Sequence, residues 1–133
     1  MKVNFFIGYD PKEDIAYRVC KYSLLKRSSN NVNVMSLKLD ELVAKKLYTR
    51  PIDPLASTQF TYTRFLVPLL NNYEGWAVFC DCDFIFLGDV SNLLNNLDET
   101  KAAYCVQHDY TPKEKHKMDG QKQTIYPRKN WSS

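Results

Sequence analysis

Residues 79–87 read Phe79-Cys80-Asp81-Cys82-Asp83-Phe84-Ile85-Phe86-Leu87, an apolar run interrupted by two carboxylates. Successive side chains of a strand point to opposite faces, so Asp81 and Asp83 share one face while Cys80 and Cys82 share the other. A buried strand carries two such charges only if they have a partner, because an unpaired buried ion is costly. Mg²⁺ and Mn²⁺ prefer oxygen ligands, and Mg²⁺ is commonly held by one or two carboxylates plus substrate phosphates. The run therefore predicts a strand that presents a metal-binding pair of aspartates.

The four cysteines, at positions 20, 80, 82 and 105, are predicted to be reduced thiols. The apolar run at the start of the chain is too short for a signal peptide, and no stretch is long enough to span a membrane. A structural zinc site needs four ligands, and no second closely spaced cysteine pair accompanies Cys80 and Cys82. We therefore expect a cytoplasmic protein with thiols in its core.

Size and charge fit one ordinary globular domain covering residues 1–133. The chain is 44% hydrophobic, which is enough to form a core, and its net charge is only +3. Residues 113–129 hold six basic side chains against two acidic ones, so the rest of the chain is close to neutral. This distribution argues against a nucleic-acid-binding protein with a broad basic face.

The first two elements have clear local signals. Val3–Gly8 is almost continuously apolar and ends in glycine, which predicts a buried strand. Asp10 and Pro11 suit the N-cap and first position of a helix that should extend to about Arg27. The residues predicted to lie on the packing face of this helix are Ile15, Val19, Tyr22 and Lys26, with Ala16, Cys20 and Ser23 beside them.

The elements that follow alternate between strand and helix patterns. A strand at Val32–Leu39 and a helix at Asp40–Tyr48 come first, followed by a loop at Thr49–Ser57. Ser57 or Thr58 caps the next helix, whose predicted core positions are Phe60, Phe65, Leu66, Leu69 and Leu70. The last elements are a strand at Trp76–Asp81, a short helix ending at Leu97, and a strand at Ala102–Gln107. This order predicts an α/β fold with a mostly parallel sheet flanked by helices. Ligands of such sheets bind at the carboxyl ends of strands, where Gly8-Tyr9-Asp10 and Asp81-Cys82-Asp83 both lie.

Three segments together resemble a known family. They are Gly8-Tyr9-Asp10 after a first strand, Tyr62-Thr63-Arg64-Phe65 on a helix, and Phe79-Cys80-Asp81-Cys82-Asp83 about fifteen residues later. In this order and spacing they resemble the Rossmann-like nucleotide-sugar-binding half of a GT-A fold glycosyltransferase, most closely glycosyltransferase family 8 and its relatives. The resemblance covers most of residues 3–133. It implies transfer of a sugar from a UDP-sugar donor to a glycan, lipid or protein acceptor, with retention of configuration.

The resemblance also implies roles around the acidic motif. Asp81 and Asp83 would hold Mn²⁺ or Mg²⁺ on the donor's diphosphate, with Cys82 between them at the cofactor, and the metal would neutralise the departing UDP. Arg64 would contact the donor or its phosphates, for which a guanidinium is well suited. A structural role, as a partner of Asp81, Asp83 or Asp89, is the alternative for Arg64.

Two further groups of residues take roles from the same resemblance. Gly8, Tyr9 and Asp10 would border the nucleobase and ribose, with Gly8 allowing close backbone approach. Asp10 can also be simply a helix cap. His108 and Asp109 follow the last predicted strand, where relatives place a catalytic group near the donor sugar, and an ordinary surface loop is the alternative.

The sequence departs from the family at one point and leaves other classes open. Family 8 enzymes take a third metal ligand, usually a histidine, from far downstream, so we expect a domain truncated at its C-terminus and lacking the acceptor-binding part. A truncated nucleotide-binding module without turnover is therefore a second hypothesis. A haloacid dehalogenase-type phosphatase would use one aspartate as nucleophile and the other as acid/base. Its motif usually lies on the first strand, whereas a full βαβ unit precedes Asp81 here.

Overall fold

A computed structural model describes residues 3–29, 32–106, 113–116, 120 and 122. Three parallel strands, β1 (Val3–Gly8), β2 (Val32–Leu37) and β3 (Ala77–Cys80), form a sheet in the order β2-β1-β3. The chain divides into two compact units, Met1–Leu97 and Asp98–Ser133, and the sheet belongs to the first. The predicted α/β class with a parallel sheet is confirmed.

Short helices connect and follow the strands. A 3₁₀ turn at Pro11–Glu13 leads into α1 (Asp14–Arg27), and α2 (Leu39–Ala44) follows β2. A 3₁₀ turn at Thr63–Leu66 continues into α3 (Val67–Leu70), and α4 (Ser91–Leu94) comes after β3. Among the described residues no helix is long and apolar enough to cross a bilayer.

The central strand β1 carries the core on both of its faces. Phe5 and Ile7 lie in one apolar cluster with Leu24 of α1, whereas Phe6 lies in a second cluster with Leu42 of α2. This division follows from the alternation of side chains along a strand. Burying each of these large side chains contributes about 1.5–3 kcal/mol, and the strand predicted to be buried is buried in the structure.

The start of the first helical segment is as predicted, but its predicted packing face is only partly correct, because Cys20 and Ser23 are buried whereas the main predicted stripe is exposed. The Asp10 side chain accepts a hydrogen bond from the Lys12 backbone N–H at 3.0 Å, as an N-cap should. Ile15 and Tyr22 are 77% and 64% exposed, and the side of α1 that packs inward carries Cys20 and Leu24. This helix is apolar on two sides, so hydrophobicity alone does not identify which side meets the sheet.

Several predicted boundaries are also too long. Strand β2 ends at Leu37 rather than Leu39, and α2 is Leu39–Ala44 rather than Asp40–Tyr48. Lys46 has a φ of 58°, a left-handed conformation that ends the helix, and the Tyr48 N–H then bonds back to the Leu42 carbonyl at 3.1 Å. Tyr48 is thereby buried, but it lies outside the helix that was predicted to include it.

The later predicted elements are shorter still. The helix expected from Ser57 or Thr58 starts only at Thr63, and Phe65 and Leu69 point to solvent instead of the core. The helix expected to reach Leu97 ends at Leu94. Residues 102–106 form no strand and are exposed, while position 107 lies outside the described residues. Short segments with few local signals were therefore the least predictable part of the chain.

A close contact fixes the carboxyl end of β1. A Cβ added to Gly8 would lie 2.6 Å from Cδ2 and Cγ of the buried Phe60 ring. The space beside the Gly8 Cα is therefore taken up by the ring, and any larger residue would have to displace it. The contact holds the segment around Phe60 against the sheet.

Replacing Gly8 tests this contact. Gly8→Ala is expected to lower the free energy of unfolding by about 1–3 kcal/mol, because the added methyl overlaps Phe60. Gly88→Ala is the matched control, since nothing lies within 4 Å of a Cβ there, and its effect should stay within about 0.5 kcal/mol. Urea denaturation measures both, and equal effects of the two substitutions would contradict the packing argument.

Candidate functional site

The acidic motif lies in a turn at the carboxyl end of β3. The strand ends at Cys80, one residue earlier than predicted, and Cys82 and Asp83 belong to the turn. Cys80 and Cys82 are buried, whereas Asp81 is half-buried and Asp83 is exposed. The predicted division between inward thiols and outward carboxylates is thus preserved. The charge of Asp83 stays in contact with water, so only Asp81 is partly desolvated.

Strand pairing brings the two predicted ligand-binding segments to one edge of the sheet. β1 and β3 run parallel, with Ile7 opposite Cys80. Gly8-Tyr9-Asp10 and Asp81-Cys82-Asp83 therefore leave neighbouring strands at the same level. This edge is where ligands of parallel α/β sheets bind.

Arg64 joins this edge through Asp81. Its Nη2 lies 3.3 Å from Asp81 Oδ1, and its Nε donates a hydrogen bond to the Phe60 carbonyl at 3.3 Å. The guanidinium also lies over the Phe79 ring, 5.0 Å from its centroid, a cation–π arrangement. A fourth contact is with the Phe60 ring, whose centroid lies 5.7 Å from the guanidinium carbon. Four contacts thus hold the Arg64 guanidinium. The structural reading of Arg64, as a partner of Asp81, is present in this structure.

Asp10 connects the end of β1 to the segment before Arg64. One carboxylate oxygen accepts the Lys12 N–H at 3.0 Å, and the other accepts the Gln59 N–H at 3.1 Å. The side chain is buried. The cap expected from the sequence is therefore combined with a second, long-range contact that sequence patterns did not reveal.

Tyr9 is held by neighbouring charged and aromatic groups. Its hydroxyl donates to Asp14 Oδ1 at 2.9 Å, and its ring meets Tyr17 edge-on at 5.2 Å. The hydrogen bond to Asp14 is the main cause that raises the pKa of Tyr9 above its ordinary value. Lys38 Nζ lies 5.2 Å from the Tyr9 ring centroid. Tyr9 therefore links β1 to α1 and to the end of β2.

A cavity of about 160 Å³ opens near the carboxyl ends of β1 and β2. The polar and aromatic residues that line it include Asp10, Lys12, Asp53, Gln59 and Tyr62. The Tyr62 hydroxyl donates to Asp53 Oδ2 at 2.8 Å, and the pKa of Asp53 is lowered first by the Leu55 backbone N–H and then by this hydroxyl. The cavity thus combines an aromatic surface with fixed hydrogen-bonding groups.

Helix α1 and the residues flanking it anchor the segment after β3 at three points. Cys82 Sγ donates to Glu13 Oε2 at 3.1 Å, and Ser23 Oγ accepts the Phe86 N–H at 3.0 Å. Asp89 Oδ2 accepts the Ser29 N–H at 3.2 Å. Burial, followed by the Glu13 contact, raises the pKa of Cys82 to about 12. No role at the acidic turn was assigned to Glu13 from the sequence, so its part in holding that turn was missed.

The side chains at this turn provide some of the ligands that the expected Mg²⁺ or Mn²⁺ needs. No group of three or more His, Cys, Asp or Glu side chains able to hold a metal occurs within the described part of the chain. Asp81 and Asp83 offer two carboxylates, which suits Mg²⁺ or Mn²⁺ if water and substrate phosphates complete the coordination. The other predicted catalytic residues, His108 and Asp109, lie outside the described residues.

Comparison with known proteins gives a match to a plant protein. No family model and no solved structure matches the chain. Protein CDI of Arabidopsis thaliana is 54% identical over 130 residues, which cover 98% of this chain and 50% of that protein. The chain thus spans about half the length of the curated relative it matches, and the name of that relative states no activity.

The hydrogen bonds accepted by the Asp89 carboxylate make a pH-dependent contribution to stability. The Ser29 and Ser91 hydrogen bonds lower the pKa of Asp89 to about 2 from an ordinary 3.8. A carboxylate with a lowered folded-state pKa stabilises the fold above its unfolded pKa, and this stabilisation is lost as pH falls toward its folded pKa. Asp89→Asn should therefore reduce stability at neutral pH and flatten its decline between about pH 4 and about pH 2. Urea midpoints across this range test the expectation, and parallel pH profiles for both proteins would contradict it.

Thiol reactivity tests the placement of the cysteines. Cys105 is exposed, whereas Cys20, Cys80 and Cys82 are buried. Iodoacetamide at mildly alkaline pH should modify Cys105 quickly and the other three only after local or global unfolding. Mass spectrometry of timed samples identifies the modified residue, and all four should react in urea. Rapid modification of Cys82 in the native protein would contradict its contact with Glu13.

Proposed function

We propose that this chain is the nucleotide-sugar-binding part of a metal-dependent glycosyltransferase of the GT-A type, acting on a UDP-sugar. The observation that carries the proposal is the parallel pairing of β1 with β3, which brings Gly8-Tyr9-Asp10 and Asp81-Cys82-Asp83 to one edge. Arg64 adds a fixed positive charge beside Asp81. Carboxylates for a cation and a guanidinium for phosphate oxygens are the groups that a nucleoside diphosphate needs.

The residues at this edge would divide the work of donor binding. Asp81 and Asp83 would hold Mn²⁺ or Mg²⁺, and the bound cation would offset the charge that develops on the leaving diphosphate. Asp83 is exposed and can offer its carboxylate without breaking a buried contact. Arg64 is held between Phe60 and Phe79, so its charge is already oriented before a ligand arrives.

The cavity beside Asp10 is the proposed place of the nucleobase. Its volume of about 160 Å³ and its Tyr62 surface suit a planar base. Asp10 already accepts two backbone N–H groups, so it would shape this cavity by holding Gln59 in place. Gly8 would also help to shape this cavity, because the absence of a side chain at position 8 lets the Phe60 ring pack against β1.

Other parts of the proposal rest on the family resemblance. These are retention of configuration, a glycan, lipid or protein as acceptor, and the roles of His108 and Asp109. A cytoplasmic location is proposed because three of the cysteines are buried reduced thiols, as in proteins of reducing compartments.

A nucleotide-binding module without turnover is the second candidate. It is favoured by the small number of metal ligands at the acidic turn, where the described residues provide two carboxylates and no group of three. The phosphatase alternative is less well supported, because the motif follows β3 rather than the first strand.

Thermal stability in the presence of UDP and Mn²⁺ tests the proposal. Saturation at 100 times the dissociation constant should stabilise the protein by about 2.7 kcal/mol. Asp83→Asn should abolish the Mn²⁺-dependent part of this shift. Glu74→Gln is the matched control, because Glu74 is an exposed carboxylate before β3, at the opposite end of that strand.

The outcomes separate the candidate functions. A shift with UDP and Mn²⁺, together with slow release of UDP from a UDP-sugar, supports the transferase. The same shift without UDP release supports the binding module. A UDP shift that is independent of Mn²⁺ and unaffected by Asp83→Asn would overturn the proposed metal role, and no shift at all would overturn both candidates.

A further inference from the structure

The Arg64–Asp81 ion pair occupies the position that a cation would need. The guanidinium lies 3.3 Å from Asp81 Oδ1, and both side chains are largely shielded, at 26% and 28% exposure. Arginine keeps its charge at any physiological pH, so it cannot make room for a metal by losing a proton. A divalent cation on Asp81 would therefore meet an adjacent positive charge that repels it.

The surroundings of Arg64 limit how far it can withdraw from Asp81. Its Nε is bonded to the Phe60 carbonyl, and its guanidinium lies near the Phe60 and Phe79 rings. The Phe60 ring is itself pressed against Gly8 at the end of β1. The terminal guanidinium nitrogens of Arg64 can thus change partners, while Nε stays hydrogen-bonded to the Phe60 carbonyl.

We propose, building on the function proposed above, that Arg64 is the resident counter-ion of Asp81 and competes with the divalent cation for it. The cation then binds tightly only together with a diphosphate, whose oxygens take over the guanidinium while Asp81 turns to the metal. Each ligand strengthens the binding of the other by the same factor, because coupling between two ligands is reciprocal. Free Mn²⁺ or Mg²⁺ without nucleotide leaves the ion pair intact.

Mn²⁺ titrations followed by electron paramagnetic resonance test the competition, since only free Mn²⁺ gives the sharp signal. Without nucleotide, Arg64→Gln should bind Mn²⁺ at least about fivefold more tightly than the native protein. With UDP present, Arg64→Gln should instead bind Mn²⁺ more weakly than the native protein, because the variant lacks the group that holds the diphosphate. Arg64→Lys keeps the charge and should bind Mn²⁺ alone no more tightly than the native protein.

Arg18→Gln is the matched control. Arg18 also faces an aspartate, with Nη1 3.9 Å from Asp14 Oδ2, but the pair is exposed on α1. Its removal changes the net charge equally and should leave both Mn²⁺ affinities unchanged. Equal Mn²⁺ affinity of Arg64→Gln and the native protein without nucleotide would overturn the competition while leaving the proposed function intact. Absence of Mn²⁺ binding in every protein, with or without UDP, would overturn both.

A measurement on the native protein covers the case in which Arg64→Gln does not fold. The Arg64 Nε–H resonance should stay in place when Mg²⁺ alone is added and move when Mg²⁺ and UDP are added together. Movement of this resonance with Mg²⁺ alone, to the same extent, would contradict the inference.

Discussion

The packing of the Phe60 ring on Gly8 is the contact on which the candidate site depends. Because position 8 has no side chain, the ring reaches the end of β1 itself. The neighbouring Gln59 N–H is held by Asp10, and the Phe60 carbonyl holds Arg64. One short segment is thereby fixed to the end of β1 and directed toward the acidic turn after β3.

The energetics of the acidic edge point to function more than to stability. A partly exposed ion pair such as Arg64–Asp81 usually contributes about 1 kcal/mol or less. The apolar clusters on either side of β1 are much larger contributors, and they contain none of the charged residues of the edge. The Arg64–Asp81 pair therefore adds little to the stability of the fold and is available for the proposed cation and diphosphate.

Local patterns were enough to predict part of this architecture. A continuous apolar run predicted β1, and Asp10 with Pro11 predicted the start of the following helical segment, because these signals act over a few residues. The meeting of two strand ends followed from the general topology of parallel sheets. The side of α1 that faces the sheet could not be predicted in this way. Ile15 and Cys20 are both apolar, and only packing on the sheet determines which of them is buried.

The contacts that give the site its detail connect residues far apart in the chain. Glu13 with Cys82 and Asp10 with Gln59 are pairs of this kind, and no spacing rule connects their members. The role of Phe60 could be suspected only from a glycine ending a strand, which indicates a close neighbour without naming it. Tertiary packing, rather than propensity, sets these features.

Paramagnetic broadening by Mn²⁺ in the presence of UDP would test most directly whether the edge formed by β1 and β3 is a nucleotide–metal site. Amide resonances of residues 8–10 and 81–83 should broaden first, and those of residues 71–75, before β3, should persist. Uniform broadening, or broadening that starts at residues 71–75, would contradict the account.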